Sequence, residues 1–350
     1  MRIALTADPE IAVPPELYGG IERIVDLLAR GLAARGHTVT LFAHPDSTCP
    51  VARVAWPGAS SVNPIDIVKN SAMLAHRVMT GRFELVHSFS RIAFLTPLLP
   101  LPIPKLMSYQ RPISSKTVRL GHRLARGTLQ FSAISEWMIE DVGHIGRWHI
   151  VPNGVPLDVY DVRTSVAPDA PLVFLGRIEE IKGPHLAIDI AQKTGAKLTI
   201  AGNIPHEHRG WFDHFIAPRI DGDQISYVGP VNDRQKNELL GRARALLMPI
   251  LWDEPFGIVM AEAMACGTPV IGMRRGAVPE VVEEGVTGFV GETADDLAQA
   301  VMRLPTIHRT ACRARVERLY SDGAIVAGYL RLYEQMTAGC RLGRKGQGPS

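Results

Sequence analysis

Two carboxylates in the second half of the chain, Glu254 and Glu262, stand on either side of a predicted transition from loop to helix. Phe256 precedes Gly257 and Ile258 at the predicted helix start, where free backbone amides and the positive end of the helix dipole attract an anion. Glu262 lies one turn beyond Ile258 on the same face, and Glu254 lies just outside the first turn. An anion held there would have a carboxylate on each side. This arrangement suits a diphosphate, with sugar hydroxyls bound to Glu254 and ribose hydroxyls bound to Glu262.

A second loop in the same half carries two permanent cations. Arg177 and Lys182 follow a predicted strand at residues 172–175 and precede a predicted helix. Cations at the carboxyl end of a strand could neutralise a leaving diphosphate, an effect of about 2.7 to 4 kcal/mol for one well-placed donor. Structural alternatives exist for both loops. The two carboxylates could merely complement the helix dipole, and the cations could pair with the neighbouring Glu179 and Glu180.

Both loops require a framework that brings strand ends together, and the chain alternates predicted strands with predicted helices. Residues 3–7 form a strand, a loop and a helix with apolar residues at helical spacing follow, and residues 38–43 form the next strand. This βαβ unit implies parallel strands joined by a right-handed crossover. A second cycle starts with the strand at 172–175. The predicted fold is therefore α/β, with two Rossmann-like doubly wound domains facing a central cleft.

Prolines and turn residues accumulate between the two cycles, as is typical of a linker. The predicted division has one Rossmann-like domain at residues 1–155 and another at residues 156–317. A C-terminal helix at residues 318–338 can cross back to the first domain. Residues 339–350 are predicted to be a basic flexible tail.

The composition is that of a globular protein in a reducing compartment. The 350 residues are 46% hydrophobic and 21% charged, and the length favours two domains. A net charge of +3 is too balanced for a protein that binds nucleic acid by neutralising many phosphates. The 4 cysteines lack paired spacing, the N-terminus lacks a signal peptide, and no apolar run could span a bilayer. These features predict a cytoplasmic protein.

Several motifs extend across both halves of the chain. They are Tyr18-Gly19-Gly20-Ile21-Glu22-Arg23, Val151-Pro152-Asn153-Gly154-Val155, the two loops described above, the stretch Ala263 to Ile271, and Gly276 with Pro279-Glu280 and Gly285 to Phe289. Through these motifs the chain resembles the retaining glycosyltransferases of family four, which have the GT-B fold. The resemblance covers nearly all of the sequence from residue 1 to about residue 335.

The resemblance implies an enzyme that moves a sugar from a nucleoside-diphosphate sugar to an acceptor hydroxyl with retention of configuration. The setting would be glycan, glycolipid or polysaccharide biosynthesis, with the acceptor in the first domain, the donor in the second, and no metal or other cofactor. The resemblance also implies that Arg177 and Lys182 bind the diphosphate, while Glu254 holds the donor sugar. It further places Glu262 at the ribose and Gly20 near the phosphates. Backbone groups near three more residues are expected to contact the base: Gly202, Asn203 and Val231.

One position departs from the family pattern. Members often have a histidine after the strand that corresponds to residues 105–109, near the transferred sugar, and this chain has Gln110 there. Either Gln110 contacts a sugar hydroxyl instead, or His87, at the end of another predicted strand, is the cleft histidine. For His87, a hydrogen-bonded strand-end residue without a catalytic role is the ordinary alternative.

Other motifs are weaker. Asp221-Gly222-Asp223 has a metal-binding form but lies in a predicted polar turn, and His206 and His208 lie in a predicted loop without zinc-ligand spacing. Neither opening strand is followed by G-x-G-x-x-G, which disfavours a nicotinamide dehydrogenase. The alternative functions are a nucleotide-sugar epimerase of the same fold and a non-catalytic nucleotide-binding scaffold.

Basic residues form one stripe if residues 114–130 are helical: Lys116, Arg119, Arg123 and Arg126. Three interpretations are open, namely a solvated surface, a site for an acidic acceptor, and a contact with anionic lipid headgroups. The lipid contact would place the enzyme peripherally at the inner membrane face.

Overall fold

The computed structural model describes residues 1–16 and 19–345, which form two α/β units. Unit 1 consists of residues 1–153 and the C-terminal segment from Asp322, and unit 2 consists of residues 154–321. The strands are β1 (Arg2–Thr6), β2 (Thr38–Ala43), β3 (Ala52–Ala55), β4 (Leu85–Ser88), β5 (Lys105–Tyr109), β6 (Leu129–Ala133), β7 (Trp148–Ile150), β8 (Leu172–Leu175), β9 (Leu198–Ala201), β10 (Ile225–Tyr227), β11 (Leu246–Met248), β12 (Val270–Met273) and β13 (Gly288–Gly291). The helices are α1 (Gly20–Ala34), α2 (Pro64–Thr80), α3 (Ser115–Leu124), α4 (Pro184–Thr194), α5 (Arg209–Phe215), α6 (Asp233–Arg242), α7 (Ile258–Ala265), α8 (Val278–Val281), α9 (Ala294–Arg303), α10 (Arg309–Leu319) and α11 (Asp322–Lys345).

Unit 1 is built on a parallel sheet of 7 strands in the order β3-β2-β1-β4-β5-β6-β7. Every residue of β4 and β5 is buried. This burial is expected because helices cover both faces of a parallel sheet. The strand order changes direction between β1 and β4, so the carboxyl ends of these strands form a topological switch point.

Unit 2 has a parallel sheet of 6 strands in the order β10-β9-β8-β11-β12-β13. This order is the Rossmann order, and its switch point lies between β8 and β11. The predicted α/β class with two Rossmann-like doubly wound domains is confirmed.

Two helices differ from their predicted extents. α11 begins at Asp322 rather than at residue 318 and continues to Lys345, so residues 339–345 are helical. α3 ends at Leu124, and Arg126 beyond it has a left-handed φ of 48°. The helix predicted over 114–130 is therefore shorter, and Arg126 lies outside it. Tyr18 of the first motif and residues 346–350 lie outside the described residues.

The helix α11 completes unit 1 although it is distant in sequence. It packs on α1, where a Cβ on Gly31 would lie 2.4 Å from Val326 Cγ2, so the glycine permits close approach of the helices. Tyr329 and Tyr333 of α11 are 1% and 0% exposed. Buried aromatic rings of this size contribute strongly to a core. Within the described residues, no helix has both the length and the apolar character needed to cross a bilayer.

Candidate functional site

The switch point of unit 2 brings together loop 176–183, which follows β8, and loop 249–257, which follows β11. Leu251 donates its backbone N–H to Ile181 O at 2.8 Å, which joins the loops. Gly183 has a φ of +75°, and a Cβ there would lie 2.0 Å from Pro249 O. Only glycine fits this contact. The two loops singled out in the sequence are thus held side by side.

Lys182 and Glu254 form an ion pair across these loops. Lys182 Nζ lies 2.8 Å from Glu254 Oε2, and the two side chains are only 17% and 14% exposed. Nζ also lies 4.2 Å from the ring centroid of Trp252, a cation–π distance. The indole Nε1 of Trp252 is buried and has no hydrogen-bond partner among the described residues. Both a carboxylate and an aromatic ring therefore hold the ammonium group in place.

Arg177 pairs within its own loop. A guanidinium nitrogen lies 2.9 Å from Glu179 Oε1, with Glu179 5% exposed and Arg177 41% exposed. The pairing of Arg177 with Glu179, one of the structural alternatives, is therefore present. The alternative pairing of Lys182 with Glu180 is wrong, because Lys182 pairs with Glu254. The buried carboxylate orients the guanidinium group, which keeps an accessible side.

A third loop fixes the backbone of Glu254. Ala277 donates its backbone N–H to Glu254 O at 2.8 Å. Gly276 has a φ of +52°, and a Cβ on it would lie 2.4 Å from the same carbonyl oxygen. Gly276, which belongs to one of the sequence motifs, therefore lets the chain after β12 pass directly against Glu254.

The helix α7 begins at the end of loop 249–257. Gly257 caps it with a φ of +75°, and the amides of Ile258 and Val259 belong to the first turn, where no partner exists within a helix. Phe256 is 2% exposed, and its ring lies edge-on to Tyr320 with centroids 5.5 Å apart. The ring anchors the loop, so only the backbone of Phe256 is left for a ligand.

Glu262 lies one turn into α7 and is 9% exposed. Its Oε1 accepts hydrogen bonds from Tyr160 Oη at 2.8 Å and from Lys236 Nζ at 2.5 Å. Burial and the nearby carboxylate raise the pKa of Tyr160, so its phenol acts as a donor. Oε2 has no hydrogen-bond partner within the part of the chain that the structure describes.

Sequence reasoning missed three members of this site: Tyr160, Lys236 and Trp252. Tyr160 lies in the stretch interpreted as a linker, and nothing in its sequence neighbourhood signals a role. Lys236 is one of several charged residues on α6. Trp252 could have been suspected from the sequence, because it is an aromatic residue two positions before the candidate Glu254.

The residues expected to contact the base are divided between two neighbouring loops. Asn203 O accepts a hydrogen bond from Ile178 N at 2.9 Å, and a Cβ on Gly202 would lie 1.7 Å from Gly176 O. Gly202 and Asn203 therefore touch the basic loop directly. Val231 is half-buried between β10 and α6, one strand further along the sheet.

In unit 1, the interpretation of His87 as a substrate-facing histidine is wrong. The side chain is 0% exposed, with Nδ1 2.6 Å from Tyr333 Oη and Nε2 2.6 Å from Ser108 Oγ. Burial lowers the pKa of His87 to about 3, so the ring is neutral. These contacts fit the ordinary alternative, because Nδ1 bonds to Tyr333 of α11 and Nε2 bonds to Ser108 of the neighbouring strand β5.

Gln110 stays the candidate for the acceptor side. Its Oε1 accepts a hydrogen bond from Asn153 Nδ2 at 2.8 Å, and its Nε2 is buried without a partner among the described residues. The adjacent Arg111 lies 2.6 Å from Asp8 Oδ2, and burial raises the pKa of Asp8. Sequence reasoning missed Asp8 and Arg111, whose signal was their position just after β1 and β5. Gly20 is the first residue of α1 in this unit.

The metal-like motifs have local explanations. Asp221 Oδ1 accepts backbone hydrogen bonds from Asp223 and Ile225, as in a polar turn. His206 and His208 lie in a short 3-10 turn rather than in an irregular loop. Over residues 1–16 and 19–345, no three or more histidine, cysteine or acidic side chains converge as metal ligands would.

Two family models match the chain, and together they span most of both units. The model described as Glycosyltransferase Family 4 matches residues 18–159. The model described as Glycosyl transferases group 1 matches residues 164–314.

Relatives and solved structures agree with these matches. The D-inositol 3-phosphate glycosyltransferase of Pseudarthrobacter chlorophenolicus is 26% identical over 340 residues, which cover 81% of this chain and 81% of the relative. Sucrose-phosphate synthase from Thermosynechococcus elongatus has a TM-score of 0.79 at 21% identity, covering 97% of this chain and 99% of that structure. HepE from Anabaena, solved with UDP and glucose, has a TM-score of 0.71 at 17% identity, covering 96% and 100%. These structural likenesses show the fold.

Proposed function

The chain belongs to the family-four glycosyltransferases of the group 1 type, with the GT-B fold, and on this premise we propose that its donor is a nucleoside-diphosphate sugar and its acceptor a hydroxyl group. One observation carries the proposal. At the switch point of unit 2, the cations Arg177 and Lys182 lie in a loop joined to the one that leads into α7. Open α/β sheets bind ligands at this place, and helix N-termini favour phosphate groups.

The diphosphate is proposed to replace a carboxylate as the partner of Lys182. Lys182 Nζ lies 2.8 Å from Glu254 Oε2. The ammonium group can turn from this carboxylate to a phosphate oxygen of the bound nucleotide sugar. As the bond to the anomeric carbon breaks, negative charge grows on the β-phosphate. Arg177 and the first amides of α7 stabilise that charge from fixed positions, and Lys182 joins them once it has turned from Glu254.

The two carboxylates are proposed to bind the hydroxyl groups on either side of the diphosphate. Glu254, once released from Lys182, accepts hydrogen bonds from the transferred sugar. Glu262 binds the ribose through Oε2, while Tyr160 and Lys236 hold Oε1. A hydrogen bond to a charged group is worth about 1.5 to 3 kcal/mol.

The proposal includes further features of the reaction and its setting. The reaction needs no metal, because fixed cations neutralise the diphosphate, and activity should survive EDTA. It retains the configuration of the sugar, and it serves glycan, glycolipid or polysaccharide biosynthesis. Gln110 contacts the acceptor side. The enzyme is cytoplasmic, and any lipid contact depends on a helix of unit 1 and not on this donor site.

The proposal is tested by thermal shift with UDP, GDP and ADP and their sugars, with UDP first because HepE was solved with it. At a concentration 100 times the dissociation constant, a bound diphosphate stabilises by about 2.7 kcal/mol and raises Tm by several degrees. Lys182→Ala should lose this shift. Lys193→Ala is the matched control, since Lys193 is 56% exposed and lies on α4, outside the site.

The outcomes separate the interpretations. A shift that is lost in Lys182→Ala and kept in Lys193→Ala supports the donor site, and release of the diphosphate with transfer to an added acceptor supports the reaction. No shift with any of the three diphosphates, or an equal shift in Lys182→Ala, would overturn the assignment. Activity lost in EDTA and restored by Mg²⁺ would reject the metal-independent reaction.

A further inference from the structure

The outward side of α3 combines exposed leucines with exposed cations. Leu120 and Leu124 are 59% and 42% exposed. They lie one turn apart, and Lys116 continues the same row one turn earlier. Arg119 and Arg123 form the adjacent row. These five residues are named the α3 face.

The cations of the α3 face are not neutralised by the protein. The side chains of Lys116, Arg119 and Arg123 make no hydrogen bond or ion pair among the described residues. The sequence also contains no aspartate or glutamate between Glu84 and Glu136. The face therefore presents uncompensated positive charge around an apolar row.

The opposite side of α3 is fixed to unit 1, so the leucines cannot turn inward. Val118 is 0% exposed and Ala125, just after the helix, is 1% exposed. A Cβ on Gly121 would lie 2.3 Å from Ile92 Cδ1. This close contact sets the rotation of the helix about its axis. The exposure of Leu120 and Leu124 is therefore a consequence of packing on the other side.

We propose that the α3 face docks the protein on an anionic phospholipid surface, with Leu120 and Leu124 in the boundary between headgroups and acyl chains. The cations then contact the headgroups, and Arg126 adds a further cation just after the helix. Interfacial helices bind membranes by this combination of apolar burial and electrostatic attraction. A nucleic acid or an acidic acceptor would match the cations but would leave both leucines in water. The inference requires no donor and stands apart from the proposed reaction.

Vesicle co-sedimentation tests the proposal with the full chain and no donor. The probes are vesicles of phosphatidylcholine with 30% phosphatidylglycerol and vesicles of phosphatidylcholine alone, at low salt and at about 0.5 M salt. We expect binding to the anionic vesicles that weakens steeply with salt. Leu120→Ser/Leu124→Ser should weaken it about tenfold or more. Arg119→Gln/Arg123→Gln should weaken it about fivefold for each cation removed.

Two control variants match these changes in chemistry but lie in unit 2. Met302→Ser removes an exposed apolar side chain, 71% exposed, and Lys197→Gln/Arg209→Gln removes two exposed cations, 58% and 62% exposed. Both controls should bind as the unmodified protein does. Leu120→Trp supplies a second measurement, since its fluorescence should shift to the blue and be quenched by brominated phosphatidylglycerol.

Each contrary result overturns the proposal. The proposal is wrong if the protein does not bind anionic vesicles or binds neutral vesicles equally well. It is also wrong if Leu120→Ser/Leu124→Ser binds as tightly as the unmodified protein, or if the unit 2 control variants lose as much binding as the α3 variants. Tight binding to heparin without vesicle binding would assign the cations to a different polyanion. An unquenched Leu120→Trp signal on bound protein would show that this face points away from the lipid.

Discussion

At the scale of single residues, the proposed donor site of unit 2 contains an internal ion pair. Lys182 and Glu254 neutralise each other at 2.8 Å in a setting where each is less than one-fifth exposed. A partly buried cation without a partner would be costly, so the pair stabilises the loops when no donor is bound. In the proposed reaction, Glu254 competes with the diphosphate for the ammonium group of Lys182. Donor binding must therefore exchange one ion pair for another.

The first prediction follows from this competition. Glu254→Gln removes the internal partner of Lys182, and we expect the variant to bind UDP about two- to fivefold more tightly, the size of a partly exposed ion pair. Transfer should nevertheless slow, because the carboxylate proposed to bind the sugar is lost. Isothermal titration with UDP measures the first effect. Glu180→Gln is the control, because Glu180 is exposed in the same loop, and weaker UDP binding by Glu254→Gln would contradict the competition.

A second prediction concerns His87, whose pKa burial lowers to about 3 in the folded protein. In the unfolded chain its pKa is about 6.5. Below about pH 6.5 the unfolded chain therefore binds a proton that the folded protein rejects. The free energy of unfolding of unit 1 should fall by up to about 1.4 kcal/mol per pH unit between about pH 6.5 and pH 3.

The variant His87→Gln lacks this titration. It should be less stable than the unmodified protein at pH 7.5, and the difference should shrink by about 2 kcal/mol at pH 5. Denaturant unfolding at the two pH values measures both quantities. His206→Gln, which changes an exposed histidine of unit 2, should leave the pH dependence unaltered. Parallel stability curves for His87→Gln and the unmodified protein would show that His87 does not titrate on unfolding.

At the scale of elements, the strands that carry the site could be predicted because buried parallel strands are short apolar runs between turn residues. β1, β4 and β8 lie where the sequence indicates them. α2 was missed because apolar residues such as Ile65 and Val68 are exposed and do not mark a buried face. Its readable signal was Asn63, whose side chain caps the helix.

Contacts between elements were less predictable than the elements. Lys182 and Glu254 were both identified, but their pairing depends on how loops from two strands meet. The contact of Tyr160 with Glu262 has the same origin, since it joins the start of unit 2 to α7. Sequence patterns record which residues are buried, whereas these partners depend on the path of each loop.

The glycine that joins the two loops gives a third prediction. Gly183→Ala would place a Cβ 2.0 Å from Pro249 O and force apart the loops that carry Lys182 and Glu254. We expect UDP binding to fall at least tenfold. Gly195→Ala is a matched control, because Gly195 also has a positive φ, +66°, but nothing lies within 4 Å of a Cβ there. The control should lose about 1 kcal/mol of stability through backbone strain and keep its UDP affinity. Equal affinities in the two variants would contradict the role of the contact.

At the scale of the whole molecule, the two units differ in how the chain builds them. Unit 2 is a continuous segment, whereas unit 1 needs α11 from the far end of the sequence. The burial of Tyr329 and Tyr333 against the sheet, with His87 bonded to Tyr333, makes this helix part of the core of unit 1. An apolar spacing predicted an amphipathic helix near the C-terminus. The strands on which it packs could not be predicted, because no local pattern identifies a partner so distant in sequence.

This difference gives the last prediction. Residues 154–321 expressed alone should fold, since their core and sheet are complete, and should bind UDP with an affinity within about tenfold of the full chain. Apart from Gly20, which the resemblance places near the phosphates and which lies in unit 1, the residues assigned to the diphosphate, the sugar and the ribose lie in that segment. Residues 1–153 alone should not unfold cooperatively, because removing α11 exposes the apolar surface beneath it and leaves His87 without Tyr333. Circular dichroism melting and titration with UDP measure these outcomes. A folded segment 154–321 that does not bind UDP would mean that unit 2 alone cannot form the donor site, whereas cooperative unfolding of residues 1–153 would show that α11 is dispensable for the core of unit 1.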